Sequence, residues 1–139
     1  MNATDRFNRQ PFQKLLGIEI TESADGRGAG QLPLRQEHSS NPETLVAHGG
    51  VVGALVDSVG GAAAVSLCDE PTPTIDLRVD YRAPATDDLF ATSEVVRGGG
   101  QTALVDVEVR DAAETPVASG RGLYKIGGRP ADAPWGFEE

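Results

Sequence analysis

At 139 residues, 39% hydrophobic and 24% charged, the chain has the size and composition of one globular domain and not of a disordered segment. A formal net charge of −9 excludes nucleic-acid binding, because covering phosphates needs a basic stripe that 12 Lys and Arg against 21 Asp and Glu do not supply. Membrane insertion and export are not expected either. The longest apolar run, Val51–Leu67, is interrupted by Gly53, Asp57, Gly60 and Gly61, short of the roughly 18 residues of a span, and no basic leader opens the N-terminus.

In chain order, Asn8–Leu16 carries Phe12, Leu15 and Leu16 at helical spacing, with Gly17 as its stop. Ile18–Glu22 alternates as a strand, Asp25-Gly26 turns the chain, and a second extended run covers Gly30–Leu34. A polar loop, Ser39–Glu43, leads to one long helix, Gly49–Leu67, ended by Asp69-Glu70-Pro71. Ile75, Leu77, Val79 and Tyr81 then alternate with Asp76, Arg78, Asp80 and Arg82 as a half-buried strand. Further strands follow at Leu89–Arg97, around Val105–Val109 and at Val117–Ile126, with bends at Gly98-Gly99-Gly100 and Asp111–Pro116. Short turns between the four C-terminal strands predict an antiparallel meander.

One helix, two strands, a long helix and four strands form an α+β architecture. A six-stranded antiparallel sheet must cover its apolar face, and curling around the long helix does so. Residues 1–139 therefore read as one domain, with a core over about residues 12–126 and a loose tail, Gly127–Glu139. The one cysteine, Cys68, has no internal partner and indicates a reducing, cytoplasmic setting. Its place at the apolar end of the long helix suits a small buried hydrophobe better than a nucleophile.

On a wheel of about 100° per residue, the neighbours of Asp57 on its helix face are Gly50, Gly53, Ala54, Gly60, Gly61 and Ala64, whereas Val52, Leu55 and Val59 lie opposite. Glycine inside a helix costs about 1 kcal/mol relative to alanine, so these positions need a reason. The face either packs closely against a second backbone, such as a partner subunit, or leaves room for a ligand beside a carboxylate. His48-Gly49-Gly50 opens the same helix, where unpaired N–H groups and a partial positive charge suit a developing oxyanion. With only His38 for company, His48 builds no metal cluster.

The run His48-Gly49-Gly50-Val51-Val52-Gly53-Ala54-Leu55-Val56-Asp57 resembles the signature of hotdog-fold acyl-CoA thioesterases, in the branch of the phenylacetate-pathway (PaaI-like) enzymes. Asn41-Pro42 upstream and Thr74–Ala85 downstream agree, and the resemblance covers about Phe12 to Ile126. It implies a thioester hydrolase acting on a small aromatic or short- to medium-chain acyl-CoA, with no cofactor beyond the coenzyme A of the substrate. Asp57 would be nucleophile or general base, and the Gly50 amide, supported by His48 and Gly49, would polarise the carbonyl. Thr74 would help place the water, and Asn41 would contact the thioester region from the other subunit. The stretch from Asn41 to His48 departs from the family pattern: it is a residue longer and lacks the usual glycine.

A homodimer or dimer of dimers, with sites at the interface, follows from the same resemblance and from the Gly/Ala face. Coenzyme A brings phosphates, and Arg82 and Arg97, near strand ends, are the candidates to hold one. The plainer role for such arginines is pairing with Asp76, Asp80 or Glu108 across strands. Two rivals share the architecture: a non-catalytic acyl-CoA-binding module, and a hydratase or dehydratase. The latter needs a histidine beside its acid, and the long helix places none at Asp57.

Overall fold

Two short helices open the chain where one was expected: α1 (Ala3–Asn8) and α2 (Pro11–Leu16), in a computed structural model that describes residues 2–127 and 134. Pro11 is the reason. Its ring forces the preceding residue out of the helical region, and Gln10 is extended at φ −63°, ψ 132°, so α2 starts afresh with proline in its first turn. The apolar face of this segment also differs from expectation. Phe12 and Leu15 are 53% and 69% exposed, and the residues turned inward are Phe7 and Gln13. Asn8 fastens α1 to the sheet, donating to Ile20 O (2.9 Å) and accepting from Ile20 N (2.8 Å).

Strands β1 (Glu19–Ala24) and β2 (Arg27–Leu32) meet at the Asp25-Gly26 turn, where both residues have positive φ (54° and 75°). That two-residue geometry matches the twist of a hairpin, so pairing begins at once with Ala24 opposite Arg27 and β2 starts earlier than its apolar residues suggest. A 3₁₀ turn, Gln36–His38, buries His38, whose Nδ1 accepts from Arg35 N at 3.0 Å and whose Nε2 lies 2.7 Å from Leu16 O.

The long helix α3 runs Gly49–Cys68 and ends in the left-handed residue Asp69 (φ 53°). Val52, Leu55 and Val59 are buried against the sheet as the wheel requires, and the helix touches all six strands. By length and composition α3 could cross a membrane, contrary to the expectation that its glycines and Asp57 would break the run; 61% of its most apolar stretch is buried within the domain.

Strands β3 (Thr74–Tyr81), β4 (Leu89–Gly99), β5 (Thr102–Asp111) and β6 (Pro116–Lys125) complete one antiparallel sheet in the order β1-β2-β4-β5-β6-β3. The expected four-strand meander is therefore only three strands long. β3 pairs with β6 and forms an edge, and two strands, β6 and β5, separate it from β4. The link after β3 makes this possible: Arg82 N and Ala83 N donate to Val117 O (2.8 and 3.2 Å), and buried Ala85 accepts from Ala47 N (2.8 Å). It crosses the strand ends instead of turning tightly. Of the tail expected over Gly127–Glu139, only Gly127 and Pro134 are described, so that expectation lies outside the described residues.

Candidate active site

Asp57 lies in the third turn of α3, partly buried, and its Oδ1 accepts a hydrogen bond from Thr74 Oγ1 at 2.7 Å. Thr74 is the first residue of β3 and stands opposite Tyr124 of β6 in the register, so two neighbouring strands present two hydroxyls to the same helix residue. The Tyr124 hydroxyl is 3.0 Å from the Asp57 backbone O and 3.3 Å from Asp57 Oδ1. Burial, then the Asp57 charge, then the hydrogen bond to it hold the Tyr124 phenol well above its ordinary pKa, so it stays protonated and a donor. Tyr124 was not among the sequence candidates. Its signal was Gly120-Arg121-Gly122-Leu123-Tyr124, which puts two glycines and one aromatic ring on a single strand face.

The Gly/Ala face of α3 has an intramolecular explanation that the wheel alone left open. A Cβ on Gly60 would run into the Tyr124 hydroxyl, one on Gly61 would stand 3.7 Å from the same ring, and one on Gly53 would be 3.5 Å from the Tyr81 hydroxyl. Tyr81 Oη also donates to Gly49 O at 2.6 Å. Tyr81 of the edge strand β3 and Tyr124 of its neighbour β6 fill much of this face.

A cavity of about 660 Å³ opens beside Asp57. Phe7, Pro11 and Phe12 of the N-terminal helices, Ala54 and Val65 of α3, and Tyr124 supply its apolar wall. Ser58 and Gln13 pair within it, at 3.0 Å from Gln13 Nε2 to Ser58 Oγ. At the rim, Arg6 meets Asp69 at 2.9 Å. An apolar chamber with a carboxylate in its wall suits an acyl group whose reactive end is polar.

The structure does not bring the other sequence candidates to this cavity within one chain. His48, Gly49 and Gly50 are exposed at the start of α3, two turns or roughly 10 Å along the axis from Asp57. Gly49 lines a separate hollow with Tyr81 and Ala85. The Gly50 N–H donates to His48 Nδ1 at 2.8 Å, so the histidine caps the amide that was expected to face a carbonyl. Asn41 Oδ1 accepts from Glu43 N (2.8 Å) and Thr44 N (3.3 Å), shaping its own loop. Arg82 lies beside Ser119 Oγ (3.3 Å) and Glu108 Oε2 (3.7 Å) and Arg121 pairs with Asp106 on the neighbouring strand, whereas Arg78 pairs with Asp80 along its own strand. The Arg97 side chain is exposed, with neither hydrogen bond nor ion pair to another side chain among the described residues, while its backbone pairs with Leu104. Burial raises the Cys68 thiol above its ordinary value, which keeps it a thiol and a poor nucleophile.

Residues 46–118, from just before the glycine pair of α3 into β6, match the family described as the Thioesterase superfamily. The chain belongs to that superfamily. Among relatives, a Halobacterium salinarum protein described provisionally as an esterase is 33% identical over 122 residues, covering 80% of this chain and 81% of its own. The medium/long-chain acyl-CoA thioesterase YigI of Escherichia coli is 29% identical over 135 residues, covering 84% and 86%. The solved structure of the E. coli PaaI protein from the phenylacetic acid degradation operon superimposes with a TM-score of 0.81 at 26% identity, covering 91% of each chain. The hotdog thioesterase branch that the sequence resembles is the one in which its relatives fall, and a six-stranded sheet around one long helix is their shared architecture.

Proposed function

We propose that this chain hydrolyses the thioester of an acyl-CoA bearing a small aromatic or short- to medium-chain acyl group. The observation that carries the reading is the Asp57 carboxylate, hydrogen-bonded to Thr74 at 2.7 Å in the wall of an apolar cavity of about 660 Å³. As general base, Asp57 takes a proton from water, the resulting hydroxide adds to the thioester carbon, and collapse of the tetrahedral intermediate expels the thiolate, which recovers the proton. As nucleophile, Asp57 adds to the thioester carbon and expels the thiolate, leaving a mixed anhydride that water opens to the free acid and the Asp57 carboxylate, with the proton released passing to the thiolate. Labelled oxygen from water enters Asp57 only on the second route. In either case Asp57→Asn lowers kcat by at least about a hundredfold in a protein that still folds, read as free thiol released from acyl-CoA. A folded Asp57→Asn protein with near wild-type hydrolysis would sink the assignment, and a wild type that binds acyl-CoA without releasing thiol would make the chain a binding module.

Each site, in this reading, is completed by a second copy. The Gly50 amide of one chain, with His48 turned aside, polarises the carbonyl attacked through Asp57 of the other. What supports it is that Asp57 lines one hollow of the chain while Gly49, the neighbour of Gly50, lines another. The edge strand β3, which begins at Thr74, also leaves Ile75 and Tyr81 53% and 56% exposed. Asn41, on the loop before α3, would approach the thioester from the same side as Gly50. For the coenzyme A phosphates Arg97 is the better candidate, since Arg82 already has Glu108 and Ser119.

A further inference from the structure

We propose that Tyr124 is a positioning residue which, with Thr74, pins Asp57 Oδ1 and so commits Oδ2 to the chemistry. The inference rests on the thioesterase reading and names a residue and an oxygen that the reading leaves open. Two donors converge on one carboxylate oxygen, Thr74 Oγ1 at 2.7 Å and Tyr124 Oη at 3.3 Å, and Oδ2 receives no hydrogen bond among the described residues. The one Tyr124 proton is shared between Oδ1 and the backbone O of the same residue, 3.0 Å away, so the hydroxyl bridges main chain and side chain and resists rotation of Asp57 about χ1. With Oδ1 occupied, Oδ2 is the oxygen that attacks a carbonyl or takes a proton from water. The Thr74 proton is given to the carboxylate, so its hydroxyl steadies the base before it contacts any water.

The ring is held in place by absences. A Cβ on Gly122 would overlap the Tyr124 ring and stand 2.8 Å from its hydroxyl, and one on Gly60 would overlap that hydroxyl and stand 3.1 Å from Cζ. Strand and helix each give up a side chain at the point where the phenol passes between them. A tyrosine needed only for core volume requires no slot at its polar end; one needed for its hydroxyl does. The raised pKa of the phenol agrees, since an ionised Tyr124 could not donate.

The experiment is steady-state hydrolysis of acyl-CoA by Tyr124→Phe, which keeps the ring and removes the donor. The expected result is a kcat about tenfold lower with KM within twofold of wild type, because the loss falls on the alignment of the base and not on binding. Thr74→Val shows the same split and Thr74→Ser restores kcat. The double variant Tyr124→Phe/Thr74→Val departs from the product of the single effects, as two groups on one oxygen must. Should Tyr124→Phe fail to fold, Gly60→Ala displaces the hydroxyl from the helix side and is expected to lower kcat alike. A folded Tyr124→Phe or Gly60→Ala with kcat within twofold of wild type, or with only KM raised, overturns the proposal. Wild-type and Asp57→Asn rates measured alongside separate the two claims: thiol release that depends on Asp57 but not on Tyr124 leaves the enzyme and removes this inference.

Discussion

The first and third turns of α3 lie on one helix face, yet they are equipped in opposite ways. Around Asp57 everything needed to hold the carboxylate comes from the same chain: a hydroxyl from β3, another from β6, and glycines that admit the ring. Around Gly50 the surface is open, and its N–H is capped by the ring of an exposed histidine. The carboxylate end is finished within one chain and the amide end is not. In the proposed reading, a site that uses both ends takes its amide from a second copy.

Mixing experiments break or sharpen that contrast most directly. Gly50→Pro removes the N–H at a first-turn position where proline is tolerated, and kcat is expected to fall by roughly 10²–10³, as for loss of an oxyanion donor. Asp57→Asn is inactive for the other reason. When the two inactive proteins are mixed and allowed to exchange subunits, each heterodimer regains one intact site, so about a quarter of wild-type activity returns under random pairing. No recovery, or sedimentation that shows an active monomer, would place both groups in one chain and end the comparison.

Packing separates the two ends on a smaller scale. Gly120 lies under Val56, one residue from Asp57; a Cβ there would run into Val56 Cγ1 and stand 3.2 Å from Arg78 O. Gly120→Ala is expected to cost about 1–3 kcal/mol in a urea titration. At the open end a Cβ on Gly50 meets only the His48 ring, at 3.0 Å from Nδ1, and that ring is an exposed side chain and not backbone. Gly50→Ala is expected to change stability by no more than about 0.5 kcal/mol. The smallest effect belongs to Arg97. Its alanine variant should raise KM for acyl-CoA about two- to threefold and make KM less sensitive to salt, with kcat unchanged; identical KM and salt dependence would remove Arg97 from phosphate binding.

Much of this was legible in the residues themselves. The three-to-four spacing of Val52, Leu55 and Val59 oriented α3, Asp25-Gly26 announced its turn, and alternation marked the strands, because each of these signals is local. The misses were of another kind. That β3 leaves β4 and pairs with β6 depends on contacts between residues far apart in sequence, from Thr74 opposite Tyr124 to Tyr81 opposite Ala118. The break in the N-terminal helix was written in Pro11, but the apolar spacing of Phe12, Leu15 and Leu16 outweighed it. Asp57 was singled out by its Gly/Ala helix face, and its catalytic role was what the resemblance implied. Tyr124 escaped because its claim on Asp57 exists only once two strands and a helix have met. The helix glycines were read as room for a second backbone or for a ligand, and part of what lies against them is instead the side chains of Tyr81 and Tyr124 of the same chain.

Edge strands open locally at lower free energy than the strands they flank, and Thr74 begins the edge strand while Tyr124 lies on the interior strand beside it. The two tethers on Asp57 therefore differ in lifetime. When the end of β3 frays, Thr74 lets go, and the ring fixed between β6 and α3 keeps the carboxylate where it was until the strand returns. A second chain laid along β3 would silence that fraying, so amide exchange at Thr74 and Ile75 should slow as the protein concentration rises, while exchange at Tyr124 holds steady.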